Sequence, residues 1–249
     1  MKVSVLTSLY KGSQYLASFM EDILNQTIFE QCEWFILDAA SPDNEYSILQ
    51  PYIEQYSNIR YERLNQDPGI YSCWNYMVKN SDSEYITNAN VDDRLFPTCI
   101  EEHIQLLDIN KNIDVAYCYN AISNQANITY NDITDNGVFS CDIELFPTDH
   151  YSLRSLLACN LPHSHPVWRR SLHDRFGYFN GEEYVSGGDW EFFLRCGVND
   201  IQMQLIPKVL GIYYKNPEGM STKKENMKRN LKEVYDIRTK YTNLLQQGS

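Results

Sequence analysis

The feature that most constrains this chain is a change of hydrophobic period that repeats through its first hundred residues. "VSVLTSLY" (3–10) is a β-rich apolar run, after which Tyr15, Leu16, Phe19, Met20, Ile23 and Leu24 recur at helical spacing. "EWFILD" (33–38) reads as a second buried strand, ending in the turn signal "ASPDN" and followed by a helix over roughly 44–56. "IRYERL" (59–64) and "EYITNAN" (84–90) read as further strands, with the turn and helix of "DPGIYSCWNYMVKNS" (67–81) between them. Strands alternating with helices build a mainly parallel sheet covered on both faces, so the expected class is α/β. Such sheets bind ligands beyond the carboxyl ends of their strands. Thr7, Ser8, Asp38, Asp67 and the cluster Asn90, Asp92 and Asp93 all lie at or just past such ends.

The second half is less regular. A helix at about 97–109 and the strand "DVAYCYN" (114–120) lead into residues 121–148, a polar stretch without periodicity that reads as a functional loop. "SLRSLLAC" (152–159) is helical, "LPHSHPVW" (161–168) extended and "GGDWEFFLRCG" (187–197) a short helix. Two strands, "IQMQLI" and "KVLGIYYK", follow, then a long amphipathic helix over 221–246 with Met227, Leu231, Val234, Tyr241 and Leu244 near one face. No repeat or linker divides the chain.

Charge and cysteine usage narrow the function. A formal charge of −12 excludes a general nucleic-acid binder, yet a divalent cation would still admit a small anionic substrate. The seven cysteines form no CxxC pair and no zinc-spaced Cys/His cluster, which fits reduced, packed thiols in the cytoplasm. The opening apolar run is too short for a signal peptide, and no stretch approaches a membrane span. The last helix carries Lys223, Lys224, Lys228, Arg229, Lys232, Arg238 and Lys240 in an otherwise acidic chain. Those bases would suit a peripheral contact with the inner face of the cell membrane, or simply a solvated face, which is the simpler reading.

Three constellations could carry chemistry. In "NANVDD", Asn90 and Asp92 share a side if the segment is extended, with Asp93 pointing away. Mg²⁺ or Mn²⁺ often takes one or two carboxylates plus phosphate oxygens, so the run suits a cation; a helix N-cap at Asp92 or Asp93 is the plainer alternative. In "GGDWE", Asp189 at a helix start is the better general base, since Glu191 two residues on faces elsewhere; an N-cap role competes. His163 and His165 share a side of an extended stretch and could touch metal, phosphate or substrate, against a structural role for each.

Taken in order, "VSVLTSLYKG", "FILDAASPDN", "QDPGIYSCWNYMVKNSDSEYITNANVDD", "GGDWEFFLR" and "GIYYKNPEGMS" resemble the family 2 glycosyltransferases, from Val3 to Ser221. The third run is close to a subgroup pattern, D-x-G-I-Y-D-A-x-N-x-G followed by N-x-D-D. The resemblance implies a GT-A, Rossmann-like fold over 1–220, with a nucleotide-sugar-binding half (1–95) and an acceptor-binding half (96–220), and a C-terminal helical extension (221–246). It implies inverting transfer from a nucleotide diphosphate sugar, a UDP-sugar by preference, to a hydroxyl of a glycan or lipid-linked acceptor, in surface-polysaccharide synthesis. Carried over by position, Asp189 is the base. The nucleotide and donor set is Thr7, Ser8, Tyr10, Asp38, Asp67, Gly69, Asn75, Asn90, Val91 and Asp92. Asp92 and Asp93 would hold Mg²⁺ or Mn²⁺, and His163, His165, Trp190 and Glu191 would line the acceptor side. The chain departs from the pattern at Asn90, where an acid is usual, at Ser72, where many members have Asp, and at Gly188, where the family has Glu. A sugar nucleotidyltransferase or a non-catalytic nucleotide-sugar or glycan-binding module are the rival readings.

Overall fold

A computed structural model describes residues 1–131, 144–145 and 150–247. The alternation in the sequence becomes β1 (Val3–Leu9), α1 (Leu16–Leu24), β2 (Cys32–Asp38), α2 (Glu45–Gln55), β3 (Ile59–Arg63), α3 (Ile70–Lys79) and β4 (Tyr85–Asn88). β5 (Arg94–Leu95), α4 (Cys99–Ile109), β6 (Val115–Ser123), β7 (Glu144–Leu145), α5 (Leu153–Ala158), β8 (Val167–Arg169) and α6 (Ser171–Phe176) come next. α7 (Gly188–Gly197), β9 (Met203–Tyr214) and α8 (Met227–Gln247) complete the chain. One sheet, in the order β3-β2-β1-β4-β8-β6-β9-β5 with β7 beside β6, runs through both halves. β3, β2, β1 and β4 are mutually parallel, whereas β8 is antiparallel to both β4 and β6.

Period-two alternation within the strands sorts the core into two layers. Leu6, Phe35 and Leu37 pack with Tyr71, Trp74, Phe192 and Ile237, from α3, α7 and α8. Val3, Val5, Trp34 and Ile36 pack with Phe19, Leu49 and Ile104, from α1, α2 and α4. Both faces being covered, β1 and β2 are almost continuously buried.

Three expectations change. The two strands expected around Pro207 are one, β9: the register jumps from Cys118↔Ile206 to Tyr119↔Val209, so Pro207 and Lys208 bulge outward and the missing N–H of proline costs no ladder bond. α8 buries only part of the stripe its apolar residues suggested, with Tyr241 in the core and Val234 packed against it. Ile237, Tyr241 and the carboxylate-bearing Glu233 face inward, while Met227, Leu231 and Leu244 are 54%, 65% and 49% exposed. The loop expected over 121–148 begins later, because 121–123 end β6; residues 132–143 and 146–149, with Cys141, lie outside the described residues.

Candidate functional site

Residues 90–93 form a turn rather than an extended segment, and this redistributes the roles of their side chains. Asn90 Nδ2 donates to Asp93 Oδ2 at 3.0 Å, so Asn90 pairs with Asp93 and not alongside Asp92. The backbone N–H of Tyr214 donates to Asp93 Oδ1 at 3.0 Å, which fastens the turn to β9. With a hydrogen bond on each oxygen and the side chain buried, Asp93 clamps the turn to β9 in this structure. Burial, followed by the neighbouring Asp92, pushes its carboxyl well above the ordinary range. Neither acid caps a helix, since α4 starts behind Thr98.

Asp92 is different. Its carboxylate is half-buried and accepts a hydrogen bond from Asn216 Nδ2 to Oδ2 at 2.9 Å. Burial raises its pKa, with the Asn216 bond opposing. A carboxylate held this way gains from a cation, and one acidic ligand suffices where substrate phosphates supply the rest. Among the described residues no group of three His, Cys, Asp or Glu side chains could hold a metal alone. Asp92 therefore fits a cation that arrives with an anionic ligand, and does not fit a permanent metal cage.

Asp189, in the first turn of α7, is oriented from two sides. Tyr71 Oη lies 2.8 Å from Asp189 Oδ1 and 2.9 Å from the Ser186 carbonyl, so its one proton is shared between them. Burial, then the charge of Asp189, raises the Tyr71 phenol well above its ordinary value and keeps it a donor. Asn160 Nδ2 donates to Asp189 Oδ2 at 2.8 Å. Gly188 makes this approach feasible: a Cβ there would lie 2.8 Å from two Tyr71 ring carbons. His163 lies near Tyr213, and Ser164 Oγ stands 2.7 Å from its Nδ1. Its ring packs edge-on against Tyr213 at 4.7 Å, and its pKa, lowered by burial, is nudged back up by Asp189, while Tyr213 feels Asp93 and Asp92.

The remaining expected residues divide. Asp38 is fully buried, accepting from Ser41 N–H (2.8 Å) and the Tyr61 hydroxyl (2.7 Å) and ion-pairing with Arg63. Asp67 Oδ1 accepts the Gly69 N–H at 2.8 Å, and Gly69 sits at φ +87°, a turn that favours glycine. Ser8 and Asp67 both neighbour Cys73, joining the ends of β1 and the 67–69 turn. Thr7 is buried inside β1, and Tyr10 is exposed with the Lys11 ammonium 5.3 Å from its ring centre. Val91 abuts Gly12, where an added Cβ would lie 2.9 Å from Val91 Cγ2.

Four of the expected residues have partners within the fold. The Asn75 amide is consumed by the Phe179 backbone, donating to its carbonyl (2.8 Å) and accepting its N–H (2.9 Å), so it pins α3 to the loop before α7 instead of facing a donor. Trp190 is buried with its indole N–H on the Leu156 carbonyl at 2.7 Å. Glu191 is buried against Tyr241, Lys240 and Arg195, tying α7 to α8. His165 is buried with Nδ1 2.6 Å from Asn120 Oδ1, and burial lowers its pKa to about 3. In the other direction, sequence reasoning passed over Tyr71, although it stands in the quoted "GIY", and Asn160 and Asn216, which carry no local signal.

The geometry matches a known architecture. The profile of "Glycosyl transferase family 2" covers residues 4–170. The chain belongs to that family. The minor teichoic acid biosynthesis protein GgaB of Bacillus subtilis is 32% identical over 114 residues, 45% of this chain and 13% of GgaB. Among solved structures, S. aureus TarS in complex with UDP superposes with a TM-score of 0.71 at 17% identity, covering 97% of this chain and 65% of that one. A mannosyltransferase from Pyrobaculum calidifontis, in complex with GDP-Man and Mn²⁺, gives 0.68 at 13% identity, over 94% of this chain and 63% of that one. The family 2 chain thus has the GT-A fold, and it spans less than two thirds of each of these three relatives.

Proposed function

We propose that this family 2 chain transfers a sugar from a UDP-sugar to a hydroxyl of a glycan or lipid-linked acceptor, with inversion. The observation that carries the reading is the Asp189 carboxylate, held at the start of α7 by Tyr71 and Asn160. The acceptor oxygen would form a bond to the anomeric carbon as the bond to the departing diphosphate breaks, its electron pair leaving with UDP. Asp189 would take the acceptor proton in that step. Mg²⁺ or Mn²⁺ held by Asp92 would, when bound, neutralise charge on the diphosphate. Residues 1–95 would carry the nucleotide sugar and 96–220 the acceptor side, with Asp38, Tyr61 and Arg63 at the nucleotide end and His163 toward the acceptor. TarS in complex with UDP and with UDP-GlcNAc supports the nucleotide, and GgaB supports a cell-surface polymer as the acceptor class.

Among the described residues no helix is long and apolar enough to cross a membrane. Lys223, Arg229, Lys232 and Lys240 are already ion-paired with Glu218 and Glu225, Glu233, Asp236 and Glu191.

The test is a screen of UDP-sugars for metal-dependent thermal stabilisation, followed by turnover of Asp189→Asn with the best donor. The variant should bind the donor and lose transfer by about 10²–10⁴-fold. Near-normal turnover removes Asp189 from the mechanism, and donor binding without turnover by the wild-type chain on any acceptor favours a binding module.

A further inference from the structure

We propose that Glu233, on the C-terminal helix, is a positioning residue for this reaction: its carboxylate fixes the backbone of residues 185–187 and thereby the pose of Asp189. The inference rests on the reading of Asp189 as the base.

Four donors converge on the one carboxylate. The N–H of Val185 reaches Oε1 at 3.0 Å, and the N–H groups of Ser186 and Gly187 reach Oε2 at 2.9 and 3.0 Å. The Ser186 hydroxyl reaches Oε2 as well, at 3.0 Å. Glu233 is only 6% exposed, and its nearest cation, Arg229 Nε, stands 3.8 Å from Oε1, beyond hydrogen-bond reach. The carboxylate is therefore satisfied by the loop's own donors. Two other residues of α8 meet the loop: Asn230 Oδ1 lies 3.0 Å from the Ser186 hydroxyl and shares its one proton with Glu233, and Ile237 Cδ1 would lie 2.8 Å from a Cβ on Gly187.

The gripped segment leads directly into the site. Gly187 precedes α7, and Asp189 is the second residue of that helix. The carbonyl of Ser186 shares the Tyr71 hydroxyl with Asp189, so displacing Ser186 changes the bond that orients the base. A connected path runs from Glu233 through Ser186 and Tyr71 to Asp189, and of these only Tyr71 lies within residues 4–170, the stretch matched by the family profile. Glutamine in place of Glu233 keeps one acceptor oxygen but turns an NH₂ toward backbone N–H groups, so it breaks the grip with little change in volume.

The experiment uses the full chain as wild type, Glu233→Gln, Asp189→Asn and the double variant, assayed with the UDP-sugar chosen by the screen above. Amide hydrogen exchange at Val185–Gly187 is measured without donor. Glu233→Gln should speed that exchange and lower kcat by about 10- to 100-fold, leaving KM for the donor within about twofold. Because Glu233 acts through Asp189, the double variant should be no slower than Asp189→Asn alone. Wild-type kcat in Glu233→Gln overturns the proposal. So does an equal further slowing of Asp189→Asn, or a loss of donor affinity that parallels a fall in melting temperature. If Glu233→Gln does not fold, Glu233→Asp must show reduced kcat at unchanged donor KM, and wild-type kcat there also overturns it. Failure of the base reading is seen separately, as normal turnover in Asp189→Asn alone.

Discussion

Gly188 shows how far a single absent side chain reaches. The family position usually carries an acid, and from sequence its loss read only as a missing charge. In three dimensions the missing Cβ is what admits the Tyr71 ring, whose hydroxyl then orients Asp189. Two substitutions separate the space from the hydrogen bond. Tyr71→Phe removes the donor and keeps the ring, so the chain should fold normally while transfer falls about 10- to 100-fold, the loss expected for a hydrogen bond to a charged group. Gly188→Ala pushes the ring aside and should cost about 1–3 kcal/mol of stability as well. Circular dichroism melts beside turnover measurements check both; a Tyr71→Phe enzyme as fast as wild type would leave the bond without a catalytic role. The legible part of this centre was Asp189 itself and the "GIY" run. Asn160 was not legible, because its partner lies 29 residues away and nothing local marks an asparagine as facing a carboxylate.

The acidic pair divides into a buried strand clamp, Asp93, and a half-buried carboxylate, Asp92, a division that its sequence spacing concealed. Extended geometry would have put Asn90 beside Asp92, but the turn puts it on Asp93, because Tyr214 of β9 supplies the second donor to that carboxylate. Asp93→Ala should therefore leave the Tyr214 N–H unpaired and lower stability by about 1–3 kcal/mol, measured by urea unfolding. Asp92→Asn should melt close to wild type yet lose metal-dependent stabilisation by the donor. If chelation leaves wild-type donor binding intact, the cation reading of Asp92 fails. Similar logic separates what was legible in the elements from what was not. Strand and helix periods in 1–100 follow from burial on both faces, so pattern alone placed them. The merger of two segments into β9 depended on a bulge at Pro207, and the inward position of Glu233 on α8 depended on the 185–187 donors that make burial of its charge favourable.

Across the whole molecule, buried ionisable groups set how stability answers to acid. Burial lowers His173 to about 4 and His165 to about 3, so each is neutral in the folded chain and must stay so. Their stability contribution is present above pH 6.5 and is lost as pH falls through the folded values, because the unfolded chain takes up the protons first. Asp22 works in the opposite sense. Burial outweighs its Arg94 partner and raises it to about 6, so its contribution is full below 3.8 and is lost as pH rises through about 6. Asp22→Asn removes that opposing titration. The variant should start less stable, because Arg94 loses its charged partner, and should then lose stability more steeply than wild type between pH 6 and 4. Parallel curves from denaturant unfolding at several pH values would contradict this. The two-layer order of the fold was legible from alternation alone, whereas these burial effects were not, since they depend on which polar group each histidine meets. The attachment of α8 to the 185–187 loop has a temporal side too. A ribosome makes α8 after every other element described, so a nascent chain can complete its sheet and still hold Asp189 unaligned. Competence for transfer would then arrive only when α8 docks, which separates the moment of folding from the moment of activity.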